Sequence, residues 1–308
     1  MPFFSVIVPL YNKEKFIRNT LDSILAQSFS DFELIIVNDG STDESEEKVR
    51  SFSDPRIHYY SRKNEGVSSA RNFGIGVATA EYIAFIDADD YWFPDFLKTM
   101  NRTIARFSNQ KIFSAAIEIE TSGKVFPAQY SIEKNSTPLL VDFFDASLKE
   151  CVIWTSSAVF QKDVFEKVGV FDTKIPSGQD TDLWIRIGLE FKVVFTSRIL
   201  ARYVFDPQSL SKNRHYTTTK LDFQKFETLE KSQSGLKKYL DYNRYSLAIK
   251  SKLNRDEGHF RAFYNAIDFS NLPLRKRILL KFPAPILEML IKMQRFLAEK
   301  GLSRSVFK

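Results

Sequence analysis

The chain has 308 residues, of which 44% are hydrophobic and 27% are charged, with only 11 Gly and 11 Pro. This composition excludes a disordered chain, and the length allows one large domain or two ordinary ones. The formal net charge of +6 hides an asymmetry, because residues 206–308 carry 21 Lys and Arg against 10 Asp and Glu, whereas residues 1–205 carry 23 against 28.

Cysteine content and the first residues indicate the compartment. Cys151 is the single cysteine of the chain, which excludes an internal disulfide framework and fits a reducing environment. The first residues do not show the basic start and apolar stretch of a secretory signal. No uninterrupted apolar run approaches the roughly 20 residues needed to span a bilayer. We therefore expect a cytoplasmic protein.

Strand and helix patterns alternate over the first 90 residues. Apolar, β-forming runs predict strands at residues 5–10, 34–37, 57–60 and 82–86. Apolar residues at helical spacing predict helices at residues 15–27, 41–52 and 67–78, with Ser41 as the N-cap of the second. This order predicts an α/β fold with a mostly parallel central sheet flanked by helices.

Beyond residue 90 the alternation becomes less regular. Strand patterns occupy residues 111–120, 123–130, 157–160 and 193–195, and helical patterns occupy residues 97–107, 142–150, 162–168 and 182–190. After about residue 205 the strand signal nearly vanishes, and residues 218–254 and 257–269 have helical patterns. We therefore predict a first domain over residues 1–205 and a basic, mainly helical C-terminal region over residues 206–308.

Two acidic clusters, residues 38–43 and 87–90, each follow a predicted strand. In open α/β sheets ligands bind at the carboxyl edge, where these clusters should meet. Asp87 and Asp89 point to the same side if their segment is extended, and carboxylate oxygens suit Mg²⁺ or Mn²⁺. The alternatives are an ordinary Asp39-Gly40 turn and a solvated acidic loop.

Five segments resemble glycosyltransferase family 2: residues 6–12 (VIVPLYN), 38–43 (NDGSTD), 64–74 (NEGVSSARNFG), 87–90 (DADD) and 178–184 (GQDTDLW). The resemblance covers roughly residues 3–205 and implies an A-type glycosyltransferase fold with inverting chemistry. It implies that the nucleotide is held by Pro9, Tyr11, Asp39, Asn64, Arg71 and Asp87. It also implies that Asp89 is the principal ligand of a metal cofactor, Mn²⁺ or Mg²⁺, with Asp90 the weaker candidate.

Asp180 is the candidate general base for the acceptor hydroxyl, because an inverting displacement needs one carboxylate there. The family often has Glu before this position, but here Gln179 stands there. Asp182 is the competing candidate, and a further alternative is that both residues only favour the helix dipole. Residues 154–156 resemble the acceptor side of the site.

Three partners are compatible with the sequence of the basic C-terminal region. Residues 275–297 combine basic and apolar residues. They suit an interfacial helix at a membrane surface, or a helix that packs on the catalytic domain or on a second subunit. We expect no nucleic-acid partner, and the sequence leaves oligomer formation open.

These features predict a metal-dependent inverting glycosyltransferase. It would use a nucleotide-sugar donor, UDP-linked, and a glycan or lipid-linked acceptor in bacterial surface polysaccharide synthesis. A nucleotidyltransferase would need a Gly-rich basic loop where residues 9–12 stand, and the glycines of residues 74–79 end a helix, unlike those of a dehydrogenase. A non-catalytic nucleotide-sugar-binding or scaffold subunit remains the alternative.

Overall fold

A computed structural model describes residues 1–121, 124–132, 137–205 and 223–299, and for residues 294–299 it describes the backbone only. Its strands are β1 (Phe4–Leu10), β2 (Phe32–Asn38), β3 (Ile57–Ser61), β4 (Tyr82–Phe85), β5 (Tyr91–Trp92), β6 (Ile112–Thr121), β7 (Lys124–Pro127), β8 (Leu139–Val141), β9 (Ala158–Gln161) and β10 (Val193–Val204). The helices of the first two thirds are α1 (Ile17–Leu25), α2 (Ser45–Arg50), α3 (Val67–Val77), α4 (Phe96–Arg106), α5 (Phe143–Ala146), α6 (Asp163–Val168) and α7 (Gln179–Glu190).

Strands β3, β2, β1 and β4 lie side by side in that order, and all are parallel. Every residue of β1 and β2 is buried, as expected for parallel strands covered on both faces. Because side chains alternate along a strand, β1 serves two cores. Ile7 packs in one cluster with Ile35 and Phe85, whereas Val6 and Val8 pack in the other.

The rest of the sheet is mixed. It continues from β4 through β9, β6 and β10 to β5, with β9 antiparallel to both of its neighbours and β6 parallel to β10. The predicted fold class is confirmed: a central sheet is flanked by helices, and its first half is parallel. Sequence patterns missed β5 and β8, because two- and three-residue strands are defined by their pairing with β10.

Helix α2 begins later than the sequence suggests. The predicted start at Ser41 is wrong, since the helix begins at Ser45 and the Asp43 carboxylate accepts a hydrogen bond from the Ser45 amide at 3.0 Å. Ser41 has another role: its hydroxyl accepts a hydrogen bond from the Asn12 amide at 3.1 Å. Residues 41–44 are therefore part of the loop between β2 and α2, and this loop is hydrogen-bonded to the loop after β1.

The C-terminal region is helical, as predicted. A 3₁₀ turn (Phe223–Phe226) precedes α8 (Glu227–Glu230), α9 (Ser234–Leu253), α10 (Glu257–Asn265), a second 3₁₀ turn (Phe269–Asn271), α11 (Leu274–Lys281) and α12 (Ala284–Glu299). The single helix expected over 218–254 is interrupted at residues 231–233, and residues 218–222 lie outside the described residues.

Helix α9 joins two cores. Leu236 and Leu240, near its start, belong to the same cluster as Ile7 and Trp184 of the first 205 residues. Tyr245 and Ala248, further along, pack in a separate small cluster with Leu280 of α11. The predicted boundary stays a prediction, and residues 206–215 lie outside the described ranges. In the parts of the chain that the structure describes, no helix has the length and apolarity needed to cross a bilayer.

Candidate active site

The ends of β1 and β2 are held together by hydrogen bonds between their loops. The Asp39 amide donates to the Leu10 carbonyl at 2.8 Å, and the Thr42 amide donates to Asn12 Oδ1 at 2.8 Å. Pro9 is buried inside β1, and Tyr11 is exposed just after it. Of these two predicted pocket residues, Tyr11 is therefore accessible to a ligand, whereas Pro9 is enclosed.

The Asp39 carboxylate is buried and fixes the loop that leads into α3. Its oxygens accept the Glu65 amide at 2.9 Å and the Gly66 amide at 2.8 Å. Gly40 has a positive φ of 76°, and a Cβ there would lie 2.9 Å from the Asn64 backbone nitrogen. Each carboxylate oxygen keeps capacity for a further hydrogen bond, so contact between Asp39 and a nucleotide stays a prediction. Asn64 itself is exposed.

Arg71 and Asp87 form an ion pair across the carboxyl end of the sheet. Arg71 Nη2 donates to Asp87 Oδ1 at 2.5 Å, and the guanidinium lies 5.1 Å from the centre of the Phe171 ring. Only 4% of Arg71 is exposed, and its Nε and Nη1 have no hydrogen-bond partner within the described residues. Helix α3 thus supplies a buried cation, and two of its nitrogen atoms, Nε and Nη1, are available to donate hydrogen bonds to a ligand.

Asp89 pairs with a residue that the sequence analysis did not select. Lys13 Nζ, from the loop after β1, donates to Asp89 Oδ2 at 2.6 Å. Burial raises the pKa of Asp89, the Lys13 ammonium opposes this shift, and the Asp87 carboxylate adds to it. No local pattern marks Lys13, because the pair forms only when the loop after β1 meets the loop after β4.

Asp90, the weaker predicted metal ligand, is buried and bound by two groups of the protein. Its buried carboxylate accepts the Ser156 hydroxyl at 2.5 Å and the Val204 amide at 3.1 Å, which ties the acidic loop to β10. Burial raises the pKa of Asp90 well above its usual value, and the carboxylates of Asp89 and Asp87 add to the shift. The Ser156 hydroxyl also accepts the Asp87 amide at 3.0 Å, so Ser156 orients two neighbouring acids.

The acidic loop fits a divalent cation that takes few protein ligands. Among the residues that the structure describes, no three His, Cys, Asp or Glu side chains are grouped as a complete metal cage requires. Mg²⁺ is commonly held by one or two carboxylates plus substrate phosphates, and Asp87 and Asp89 match that donor set. The requirement for Mn²⁺ or Mg²⁺ stays a prediction.

Asp180 and Asp182 lie in the first turn of α7 but have different surroundings. Asp182 is fully buried, and its carboxylate is paired with Arg186, at 3.0 and 2.9 Å, and with Lys225 of the C-terminal region. Asp180 is partly exposed, and its Oδ1 accepts the Thr181 amide at 2.8 Å. Asp180 is therefore the acid with a carboxylate oxygen left for another group.

Helix α9 lies close to this pair. Burial raises the pKa of the Tyr239 hydroxyl well above its usual value, and the Asp180 carboxylate is among the charges that add to the shift. The sequence analysis assigned neither Lys225 nor Tyr239 to the site, since both belong to the C-terminal region. Trp154, on the predicted acceptor side, packs edge-on against Tyr203 at 5.2 Å and has a buried Nε1 without a hydrogen-bond partner in the described residues.

The structure thus joins Asp39, Arg71, Asp87 and Asp89 through one set of strand ends. Pro9 is enclosed in β1, and the backbone of Asn64 passes close to Gly40. Asp180 lies on a separate element, α7, that begins after Gly178 in the left-handed conformation (φ 88°).

The chain is similar in sequence to known glycosyltransferases. The model of Glycosyl transferase family 2 matches residues 5–169. A glycosyltransferase of Rickettsia typhi is 30% identical over 248 residues, which cover 78% of this chain and 73% of that protein. A glycosyltransferase of Rickettsia bellii is 31% identical over 218 residues, or 68% of this chain and 31% of that protein. The match therefore spans about a third of the Rickettsia bellii relative.

The fold also matches a solved structure. The crystal structure of S. aureus TarS in complex with UDP-GlcNAc is superimposed with a TM-score of 0.61 over 85% of this chain and 90% of that one, at 17% identity. This likeness concerns the fold alone. The family match over more than half of the chain, together with the Rickettsia typhi relative, shows that this chain belongs to glycosyl transferase family 2.

Proposed function

We propose that the protein transfers a sugar from a UDP-sugar to a hydroxyl of a glycan or lipid-linked acceptor, with inversion at the sugar carbon. The observation that carries this proposal is the buried Arg71 guanidinium with two unpartnered donors beside Asp87. A buried donor without a partner costs about 1–3 kcal/mol, so a ligand oxygen at this place would be stabilising.

The donor's nucleotide would lie at the carboxyl ends of β1, β2 and β4. Arg71 would donate to base carbonyl or phosphate oxygens, and Asp39 and Asp87 would accept from the base or ribose. Tyr11 is exposed at the end of β1 and would cover a base face. Pro9 and the backbone near Asn64 would shape the walls.

The leaving diphosphate would be neutralised near Asp89. When bound, Mg²⁺ or Mn²⁺ would act there as a Lewis acid that stabilises the departing phosphate oxygens. The Lys13 ammonium lies 2.6 Å from Asp89, so the chain itself also supplies a cation at this place. It would hold the Asp89 carboxylate in position and add positive charge beside the diphosphate.

Asp180 would act as the general base. The acceptor oxygen forms a bond to the sugar carbon while the bond from that carbon to the diphosphate oxygen breaks, and the acceptor proton goes to the Asp180 carboxylate. Asp182 is unsuited to this role, because Arg186 and Lys225 occupy its carboxylate in the interior.

The choice of UDP rests on the family resemblance and on the TarS complex, which contains UDP-GlcNAc. The place of the reaction in surface polysaccharide synthesis is likewise part of the proposal.

A donor panel tests the proposal. Binding and hydrolysis of UDP-, GDP- and TDP-sugars would be measured with Mn²⁺, Mg²⁺ or chelator, in the wild type and in Arg71→Met. We expect one UDP-sugar to be selected in the presence of metal, and Arg71→Met to lower its affinity by about ten- to a hundredfold.

Arg56→Met is the matched control, because Arg56 also lies over a ring, Phe32 at 4.4 Å, and pairs with Asp54 at 2.8 Å, but at the amino ends of β2 and β3 rather than at the carboxyl edge. It should leave donor affinity unchanged. Equal affinity in wild type and Arg71→Met would contradict the proposed nucleotide site. Donor binding without hydrolysis or transfer to any glycan or lipid-linked acceptor would favour a non-catalytic subunit.

A further inference from the structure

Helices α11 and α12 expose a strip of apolar side chains. Its members are 38% to 69% exposed: Leu274, Ile278, Ile286, Met289 and Met293. Other exposed large apolar residues in the described ranges, such as Val125, Leu140 and Leu229, lie singly along the chain. Scattered apolar residues are normal on a surface, whereas the members of this strip follow helical spacing, which places them on one face of each helix and indicates an interaction site.

The strip is not the face by which these helices fold onto the protein. Leu280 of α11 and Leu287 of α12 are buried, and both helices contact α9. Leu280 packs in the small core with Tyr245 and Ala248. The inner face thus packs on α9, within the C-terminal region, and a second apolar face remains outside.

Basic side chains accompany the strip. Arg275, Lys281 and Lys292 are exposed, and between residues 274 and 293 the sequence contains one acidic residue, Glu288. Two further cations of this stretch are engaged elsewhere: Arg277 donates to the Leu272 and Ser270 carbonyls, and Lys276 lies over the rings of Tyr242 and Tyr245. The free surface therefore combines apolar side chains with an excess of positive charge.

We propose that this strip docks on an anionic lipid bilayer, with α11 and α12 lying along the membrane surface. Apolar side chains enter the boundary of headgroups and acyl chains, while nearby Lys and Arg attract anionic headgroups. A second copy of the chain fits less well. A two-fold interface would set each strip against itself and bring the cations of both copies together.

Docking would place the catalytic core at the membrane. Helix α9 runs from the core around Trp184 to the small core beneath α11. The strip is thus connected to the site through a packed helix. The value of this arrangement for a lipid-linked acceptor rests on the proposed function, but docking itself does not.

Vesicle flotation of the full chain tests the proposal. Phosphatidylcholine vesicles with and without phosphatidylglycerol would be compared for wild type, Met289→Glu and the control Leu229→Glu, which places the same charge on an exposed Leu of α8. We expect wild type and Leu229→Glu to float with anionic vesicles and to be released by salt. Met289→Glu should bind anionic vesicles at least about tenfold more weakly than wild type. Arg275→Gln/Lys281→Gln should also weaken binding to anionic vesicles, and this effect should disappear at high salt.

Two controls separate the outcomes. Melting temperatures must be equal across the variants, and hydrolysis of a soluble donor should be the same in wild type and Met289→Glu, so loss of transferase activity and loss of docking are read independently. Wild type that stays off anionic vesicles, or Met289→Glu that binds like wild type, would overturn the proposal. A concentration-dependent dimer in ultracentrifugation, lost in Met289→Glu without vesicle binding, would assign the strip to a second copy.

Discussion

At the scale of single residues, the site is built from charges whose partners differ. Arg71, Asp87, Asp89 and Lys13 form two ion pairs at the strand ends, and Arg71 has donors left over. Asp90 and Asp182 lie within two positions of proposed functional residues, and both carboxylates are buried and bound by protein groups. Asp180, by contrast, is partly exposed and has a carboxylate oxygen left for a ligand.

Asp180→Asn should abolish most transfer. If Asp180 takes the acceptor proton, the variant should lose about 10²- to 10⁴-fold in transfer rate while donor affinity is retained. If Asp180 only favours the helix dipole, the variant should change stability by less than about 1 kcal/mol and keep its rate. Rates with the acceptor identified from a panel, and donor affinity by calorimetry, decide between these outcomes.

Asp182→Asn is the paired comparison. It should lower the melting temperature markedly, because it weakens a buried charge pair and leaves Arg186 and Lys225 with less compensation. An Asp182→Asn variant with native stability and no transfer would reverse the two assignments.

Glu33 gives a prediction for pH dependence. Burial raises the pKa of its carboxyl, but hydrogen bonds from Ser5 and from the amide and hydroxyl of Thr79 outweigh burial and hold the pKa below its ordinary value of 4.5. A depressed folded pKa contributes stability above pH 4.5 that is lost as the pH falls through the folded pKa. We expect Glu33→Gln to be less stable than wild type by about 2 kcal/mol at pH 7.

Urea unfolding between pH 7 and pH 3 measures this effect. The difference in unfolding free energy between wild type and Glu33→Gln should shrink as the pH falls below 4.5. A difference that grows as the pH falls from 4.5 to 3 would show that the sign of the pKa shift is wrong.

At the scale of elements, the site depends on how closely α3 approaches the sheet. Helix α3 carries Arg71, and its Gly74 faces β1 so closely that a Cβ would lie 2.5 Å from Ile7 Cγ2. Ile7 is fully buried and β-branched, so its side chain has little freedom to move. The absence of a side chain at Gly74 therefore sets the distance between Arg71 and the strand ends.

Gly74→Ala and Gly76→Ala form a matched pair within α3. Gly74→Ala should destabilise the protein by about 1–3 kcal/mol through overpacking. Gly76 is exposed with nothing within 4 Å of its added Cβ, so Gly76→Ala should be neutral or stabilising by up to about 1 kcal/mol through helix propensity. Chemical denaturation of both variants provides the measurement, and equal effects would contradict close packing of α3 on β1.

At the scale of the whole molecule, the C-terminal helices complete the core of the catalytic region. Phe223, Leu236 and Leu240 are buried against residues of the first 205, and Lys225 supplies a charge to Asp182 of α7. Further along, α11 and α12 pack on α9 around a separate small core. The start of α9 thus packs in the core of the catalytic region, whereas α11 and α12 pack around the separate small core.

Leu240→Ala tests this division. The three Trp residues, Trp92, Trp154 and Trp184, all precede residue 205, so their fluorescence reports on the first region. Leu240→Ala should lower the unfolding free energy reported by Trp by about 2–5 kcal/mol. Leu280→Ala, equally buried but in the small core, should shift the Trp signal less. An unchanged Trp midpoint in Leu240→Ala would indicate that the two regions fold independently.

The family, the order of the first strands and helices, and the residues at the carboxyl edge could be predicted from the amino-acid sequence. These features are local: apolar runs mark buried strands, and strand-end acids mark the edge where ligands bind. The fold class and family predicted from residues 6–12, 38–43, 64–74, 87–90 and 178–184 are confirmed, whereas the individual site roles stay predictions.

The pairing of charged residues, by contrast, depends on the three-dimensional fold. Lys13 and Asp89 are 76 positions apart, and Asp182 and Lys225 come from different regions, so no local spacing relates them. Strands β5 and β8 are likewise too short to be recognised without their partner β10. Helical periodicity in the sequence identifies the apolar positions of α11 and α12 but not what covers them. The packing of these helices on α9 shows which apolar side chains stay exposed.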